Sequence, residues 1–238
     1  MAEPSFLQRA AAIHAASRKD DDFLWARFTA RWPAAWLLAA LHRAPLTPDG
    51  LSLASLVLGL ASCVAFAGWP GPKGPWIGFA LGQLAYIVDC MDGMLARTRG
   101  GSPHGRALDF AIDAVKQVAL FPAIGWRVWS EAGKSTGGGW LMLTVISGPV
   151  VAAALMLTMF LRSPEVTGGE RPARATHDTS LQGRAMALFA FLLNYPSWIL
   201  VPVIFERLDV FLLISVPLYG LHACWSLLRI GRLARRDD

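Results

Sequence analysis

The feature that most limits what this chain can fold into is a series of six apolar runs, each long enough to cross a lipid bilayer, over roughly residues 51–69, 76–96, 106–129, 140–161, 185–205 and 208–228. About 20 apolar residues in a helix span the hydrocarbon layer, where the backbone must satisfy its own hydrogen bonds. Composition agrees: 54% of the residues are hydrophobic, only 16% are charged, and the mean hydropathy is +0.42. A soluble domain carries roughly 25% charged residues. The expected fold is an all-α integral membrane protein with six transmembrane helices. The expected organisation is an N-terminal segment over 1–46 ahead of the spans, a six-helix transmembrane domain over 47–229 and a basic tail over 230–238.

Punctuation along the chain places the helix ends. Thr47-Pro48-Asp49-Gly50 is a helix-start signal, and the Gly/Pro cluster at 68–75 must be a loop. Gly137, Gly138 and Gly139 predict a flexible connection, Asn194-Tyr195-Pro196 predicts a break in the fifth run, and 162–184 is the longest candidate loop. Before the first run, Trp25, Phe28, Trp32 and Trp36 recur at spacings of three and four, with Arg27 and Arg31 on another side. That stripe predicts an N-terminal amphipathic helix lying in the headgroup layer over 23–43, kinked or broken at Pro33. No removable signal peptide is expected at the N-terminus. Cys63, Cys90 and Cys224 lie apart in apolar runs and read as small buried residues, not as disulfide partners or zinc ligands.

Lys and Arg outside the runs or near their ends divide seventeen against four between the two sides. The positive-inside rule then puts both termini and the 97–106 connection on the cytoplasmic side, as expected for an inner-membrane protein. The net charge of +5 gathers there, favouring anionic lipid and anionic substrate. Topology already accounts for these basic residues, so nucleic acid is not an expected partner.

Charge is sparse in the runs except at one place. Asp89 and Asp92 close the second run, and Asp109 and Asp113 open the third. Spacings of three and four put each pair on one helical face. An aspartate at mid-helix costs about +2.5 to +3.5 kcal/mol to insert, so four gathered at one depth ask for a function. Four negative charges repel unless cations neutralise them, and all-oxygen ligands favour a hard ion such as Mg²⁺, Mn²⁺ or Ca²⁺.

The full pattern is Asp89-x2-Asp92-Gly93-x2-Ala96-Arg97-x7-Gly105-x3-Asp109-x3-Asp113. It resembles the signature of the CDP-alcohol phosphotransferase (CDP-alcohol phosphatidyltransferase) family at all eight fixed positions, over 25 residues. The resemblance implies a homodimeric membrane enzyme of phospholipid biosynthesis. Such an enzyme would use CDP-diacylglycerol as donor, a polar alcohol as acceptor and two Mg²⁺ ions, or Mn²⁺, held by Asp89, Asp92, Asp109 and Asp113. It makes Asp113 the general base. It places Gly93, Ala96, Arg97 and Gly105 at the CDP moiety, with Ser102 and Asp49, Gly50, Leu51 and Ser52 as further candidates. Many members have Pro-Asn where Pro48-Asp49 stands here.

The run from Asp92 to Gly101 is similar to phosphatidylinositol phosphate synthases, which tend to carry Arg directly after the fourth aspartate. Here Ala114 takes that position and Lys116 follows. A phosphorylated acceptor, inositol phosphate or glycerol phosphate, would need cations beyond the metals, and Lys116, Arg162 and Arg184 are the candidates. Two alternatives keep the acidic site: an intramembrane prenyltransferase, whose motifs lack the Gly93, Ala96-Arg97 and Gly105 framework, and a divalent-cation transporter without turnover.

Overall fold

The computed structural model describes residues 4–17, 29–100, 102–132, 137–161 and 180–234. Among these residues the secondary structure is entirely helical. A helix stands at each place where the sequence puts a spanning run. We number the helices α1 (Phe6–Ala16), α2 (Arg31–Ala40), α3 (Pro48–Gly68), α4 (Lys73–Arg99), α5 (Pro103–Ala132), α6 (Gly137–Leu161), α7 (Leu181–Leu193), α8 (Leu200–Ile204) and α9 (Leu208–Ala234). Four of them, α3, α4, α6 and α9, are both long and apolar enough to cross a membrane. At 30 residues α5 would reach about 45 Å. It stands apart because it carries Asp109, Asp113, Lys116, Arg127 and Glu131. The fifth run is divided: α7 stops at Asn194, a 3-10 turn covers Tyr195–Ser197, and the short α8 follows.

The chain forms two compact units, residues 1–116 and 117–238, with the boundary inside α5. In the first unit α3 and α4 make the principal pairing. Thr47 caps α3 by accepting the Gly50 N–H, and Pro48 opens its first turn, as the start signal predicts. Ser62 donates to the Gly78 carbonyl at 2.6 Å, and a Cβ at Gly78 would fall 2.6 Å from the Phe66 ring. The two helices therefore touch through small residues. Ala34, Ala35 and Leu38 of α2 pack with Leu51, Met91 and Met94 to form this unit's core.

The N-terminal part adds to its sequence reading and departs from it at Arg31. Phe6–Ala16 forms a helix opened by a Ser5–Gln8 capping box, a signal that spacing of apolar residues alone does not reveal. Of the amphipathic helix expected over 23–43, residues 23–28, including Trp25, Arg27 and Phe28, lie outside the described residues. Pro33 stands in the first turn of α2, directly after the π-helical residues 29–30, so regular α-helix begins only at Arg31. Arg31 does not face water: it is buried and donates to the Ser17 carbonyl at 3.1 Å. Trp32 and Trp36 are exposed, and Trp32 stacks on His14 at 4.0 Å.

The second unit is built on aromatic contacts. Phe121 lies 5.4 Å from Phe211 and 5.2 Å from Tyr219, ring to ring, and Trp198 lies 5.0 Å from Phe211. The Tyr219 hydroxyl donates to the Leu193 carbonyl at 2.6 Å. Gly137, Gly138 and Gly139, expected in a loop, belong instead to the first turn of α6, where helical N–H groups lack partners in any case. Cys63 is buried and Cys90 half-buried, but Cys224 is exposed on α9, so its small side chain is not a core residue.

Candidate metal centre

The centre belongs to the first unit and forms where the C-terminal end of α4 meets the beginnings of α3 and α5. Gly100 makes the α4 to α5 turn possible: it takes φ +81°, a left-handed conformation that costs a residue with a Cβ about 1–2 kcal/mol. Ser102 then caps α5, its hydroxyl accepting the Gly105 N–H at 2.9 Å. Arg99 fastens the same end to the segment before α3 by donating to the Leu46 carbonyl at 2.6 Å.

With the helix ends fixed, one carboxylate oxygen each from Asp89, Asp92 and Asp109 gathers within 4.8 Å of the others. Asp92 is buried and accepts from Ser52 of α3 at 2.5 Å. Lys116, one turn beyond Asp113 on α5, donates to Asp89 Oδ1 at 2.7 Å and to Asp113 Oδ1 at 2.8 Å. The Asp113 side chain is 43% exposed, against 17% for Asp89, so Asp113 is the aspartate of this pair more open to an incoming group. Three convergent carboxylates offering only oxygen suit a hard divalent cation. The donor set therefore fits the ion that the sequence implies.

The other residues singled out from the sequence fall into distinct positions. Arg97 is exposed and folds back over Gly93, where a Cβ would lie 3.3 Å from Nη1. Ala96 is half-buried on the same helix. A Cβ on Gly105 would lie 3.3 Å from the Ser102 hydroxyl and 3.9 Å from Asp49 Oδ1, so Asp49 and Ser102 flank that glycine together. Gly50 leaves room for the Thr47 cap. Leu51 turns into the apolar core with Met91 and Met94, which leaves only its backbone to offer a ligand. Of the three acceptor cations, Lys116 is engaged by Asp89 and Asp113, Arg184 is exposed in the first turn of α7, and Arg162 lies outside the described residues.

Sequence reading of the acidic segment alone passes over Ser55 and Gly59. Ser55 accepts from Lys116 at 3.1 Å, and a Cβ on Gly59 would come within 2.7 Å of the Lys116 stem. The available signal is the series Ser52, Ser55, Gly59, Ser62, small residues recurring every three or four along an otherwise apolar helix.

Helices of membrane length carrying a gathered carboxylate set define a membrane protein with a centre suited to a divalent cation. More particularly, the chain belongs to the CDP-alcohol phosphatidyltransferase family, whose pattern its residues 45–216 match. Over 137 residues it is 32% identical to a protein of Rubrobacter xylanophilus named bifunctional IPC transferase and DIPP synthase, covering 56% of this chain and 27% of the relative. Over 100 residues it is 36% identical to a phosphatidylinositol phosphate synthase of Mycobacteroides abscessus, covering 41% of this chain and 42% of that protein. The matches thus span less than half the length of either relative. The family is one of phosphatidyltransferases, which favours the phosphotransferase reading over the prenyltransferase and cation-transporter alternatives.

Proposed function

We propose that this protein transfers a phosphatidyl group from CDP-diacylglycerol to the hydroxyl of a phosphorylated alcohol, releasing CMP. The observation that carries the reading is the convergence of Asp89, Asp92 and Asp109 beside the more open Asp113. Divalent ions held by these carboxylates, Mg²⁺ or Mn²⁺, would neutralise the diphosphate and stabilise the departing CMP. Asp113 takes the proton of the acceptor hydroxyl as its oxygen bonds to the phosphorus carrying the diacylglycerol, and the bond from that phosphorus to CMP breaks. Arg97, a planar fork beside the open face of Gly93, binds the CDP moiety, and Ser52 holds Asp92 in place. Gly93 and Ala96 keep the α4 surface low enough for the nucleotide. Gly105, Ser102 and Asp49 border the same region.

Inositol phosphate is the favoured acceptor, with glycerol phosphate second, because one similar protein bears the name phosphatidylinositol phosphate synthase. Six spans, with the divided α7 and α8 segment as the fifth, a cytoplasm-facing site and a homodimer complete the reading. The test is CMP release by purified protein given CDP-diacylglycerol and a panel of inositol phosphate, glycerol phosphate, inositol, serine and choline. Turnover with inositol phosphate is expected. Turnover restricted to an unphosphorylated alcohol would contradict the acceptor assignment, and no CMP release with any of them would contradict the donor.

A further inference from the structure

The acidic centre contains a cation of its own. Lys116 is only 6% exposed, and its three N–H donors meet three acceptors: Asp89 Oδ1 at 2.7 Å, Asp113 Oδ1 at 2.8 Å and Ser55 Oγ at 3.1 Å. Ser55 in turn donates to the Ser52 carbonyl at 3.0 Å, so the ammonium and the Ser55 hydroxyl are both satisfied. The stem is fitted as closely as the head. A Cβ on Gly59 would lie 2.7 Å from Lys116 Cγ and 2.8 Å from Cδ. Ser55 and Gly59 are four residues apart on α3, so one face of that helix is shaped to a single lysine.

The carboxylates are divided accordingly. Asp89, Asp92 and Asp109 form the tight set, and Asp113 is joined to Asp89 through the ammonium. We propose that Lys116 is a positioning residue that holds Asp113 against Asp89 and competes with a divalent ion for that pair. The inference rests on the functional reading above. It divides two cation positions by strength: one, at the triad, is held directly, and the other is gained only when Lys116 gives up its hydrogen bonds. Displacing a buried ammonium is expensive, since its partners and its own charge must find new company. Lys116 thereby limits the affinity of the second position and keeps Asp113 aimed at the centre.

The test is Mn²⁺ binding to the full-length protein in lipid nanodiscs, followed by electron paramagnetic resonance, with thermal unfolding in excess EDTA and in excess Mg²⁺. Lys116→Met is expected to bind the weaker Mn²⁺ at least tenfold more tightly than the native protein. It should unfold several degrees lower in EDTA, with the gap closing in Mg²⁺. Gly59→Ala, which evicts the lysine stem while keeping its charge, should move the weaker affinity in the same direction and decides the matter alone if Lys116→Met does not fold. An unchanged or weakened second affinity, or an unfolding deficit equal in EDTA and Mg²⁺, would overturn the inference. Native protein that takes up no Mn²⁺ would overturn the functional reading itself, whereas two ions bound identically by native and variant proteins would overturn this inference alone.

Discussion

The two halves of α5 use burial for opposite ends. Up to Lys116 the helix presents Gly105, Asp109, Asp113 and Lys116, and its buried polar atoms are closed by hydrogen bonds to α3 and α4. Beyond it Leu120, Phe121, Ile124 and Val128 are buried, and Phe121 packs against Phe211 and Tyr219. Polar burial needs small neighbours such as Ser55 and Gly59, because donors must come within about 3 Å of acceptors. Apolar burial needs only volume, which aromatic rings supply. Substitutions on the polar side should therefore alter chemistry before stability, and those on the aromatic side the reverse.

Asp113→Asn sharpens that contrast most. It should lower kcat by about 10²–10⁴-fold while leaving CDP-lipid binding and unfolding temperature close to native, as steady-state kinetics and a binding assay would show. Native turnover would remove Asp113 from the base role. Phe211→Ala is the counterpart in the second unit: it empties the space between Phe121 and Trp198 and should cost about 3–5 kcal/mol of stability. Its Mg²⁺ dependence should stay native, and a shifted Mg²⁺ requirement would break the contrast.

Ser52→Ala should cost about 1–3 kcal/mol, read by denaturation in EDTA, because the buried Asp92 loses its donor. Gly100→Ala is the mildest, about 1 kcal/mol for forcing a Cβ into a left-handed turn, and thermal unfolding would detect it.

Much of this arrangement is legible in the sequence because its signals are local. Thr47-Pro48 marks a helix start through a cap made three residues away, Asn194-Tyr195-Pro196 ends α7, and the aspartate spacings set one face on each helix. What sequence order hides is contact across helices. Lys116 reads as a cation for a phosphorylated acceptor, and its carboxylate tie stays hidden because its partner Asp89 lies 27 positions earlier and Ser55 61 positions earlier. Arg31 looks like the polar edge of an interfacial helix, yet the carbonyl that takes it out of water belongs to Ser17. Gly138 and Gly139 read as a loop because glycine is a poor helix former. They join the first turn of α6 instead, and nothing local in the sequence signals it.

The proposed mechanism has the two aspartate pairs hold a divalent cation against a CDP-linked lipid. CMP release from CDP-diacylglycerol, measured as Mg²⁺ is titrated into the native protein and into Asp109→Ala, tests this most directly. Native turnover should rise from zero in EDTA to saturation, while Asp109→Ala stays inert or demands far more Mg²⁺. CMP release that persists in EDTA, or an identical Mg²⁺ requirement in Asp109→Ala, would contradict it.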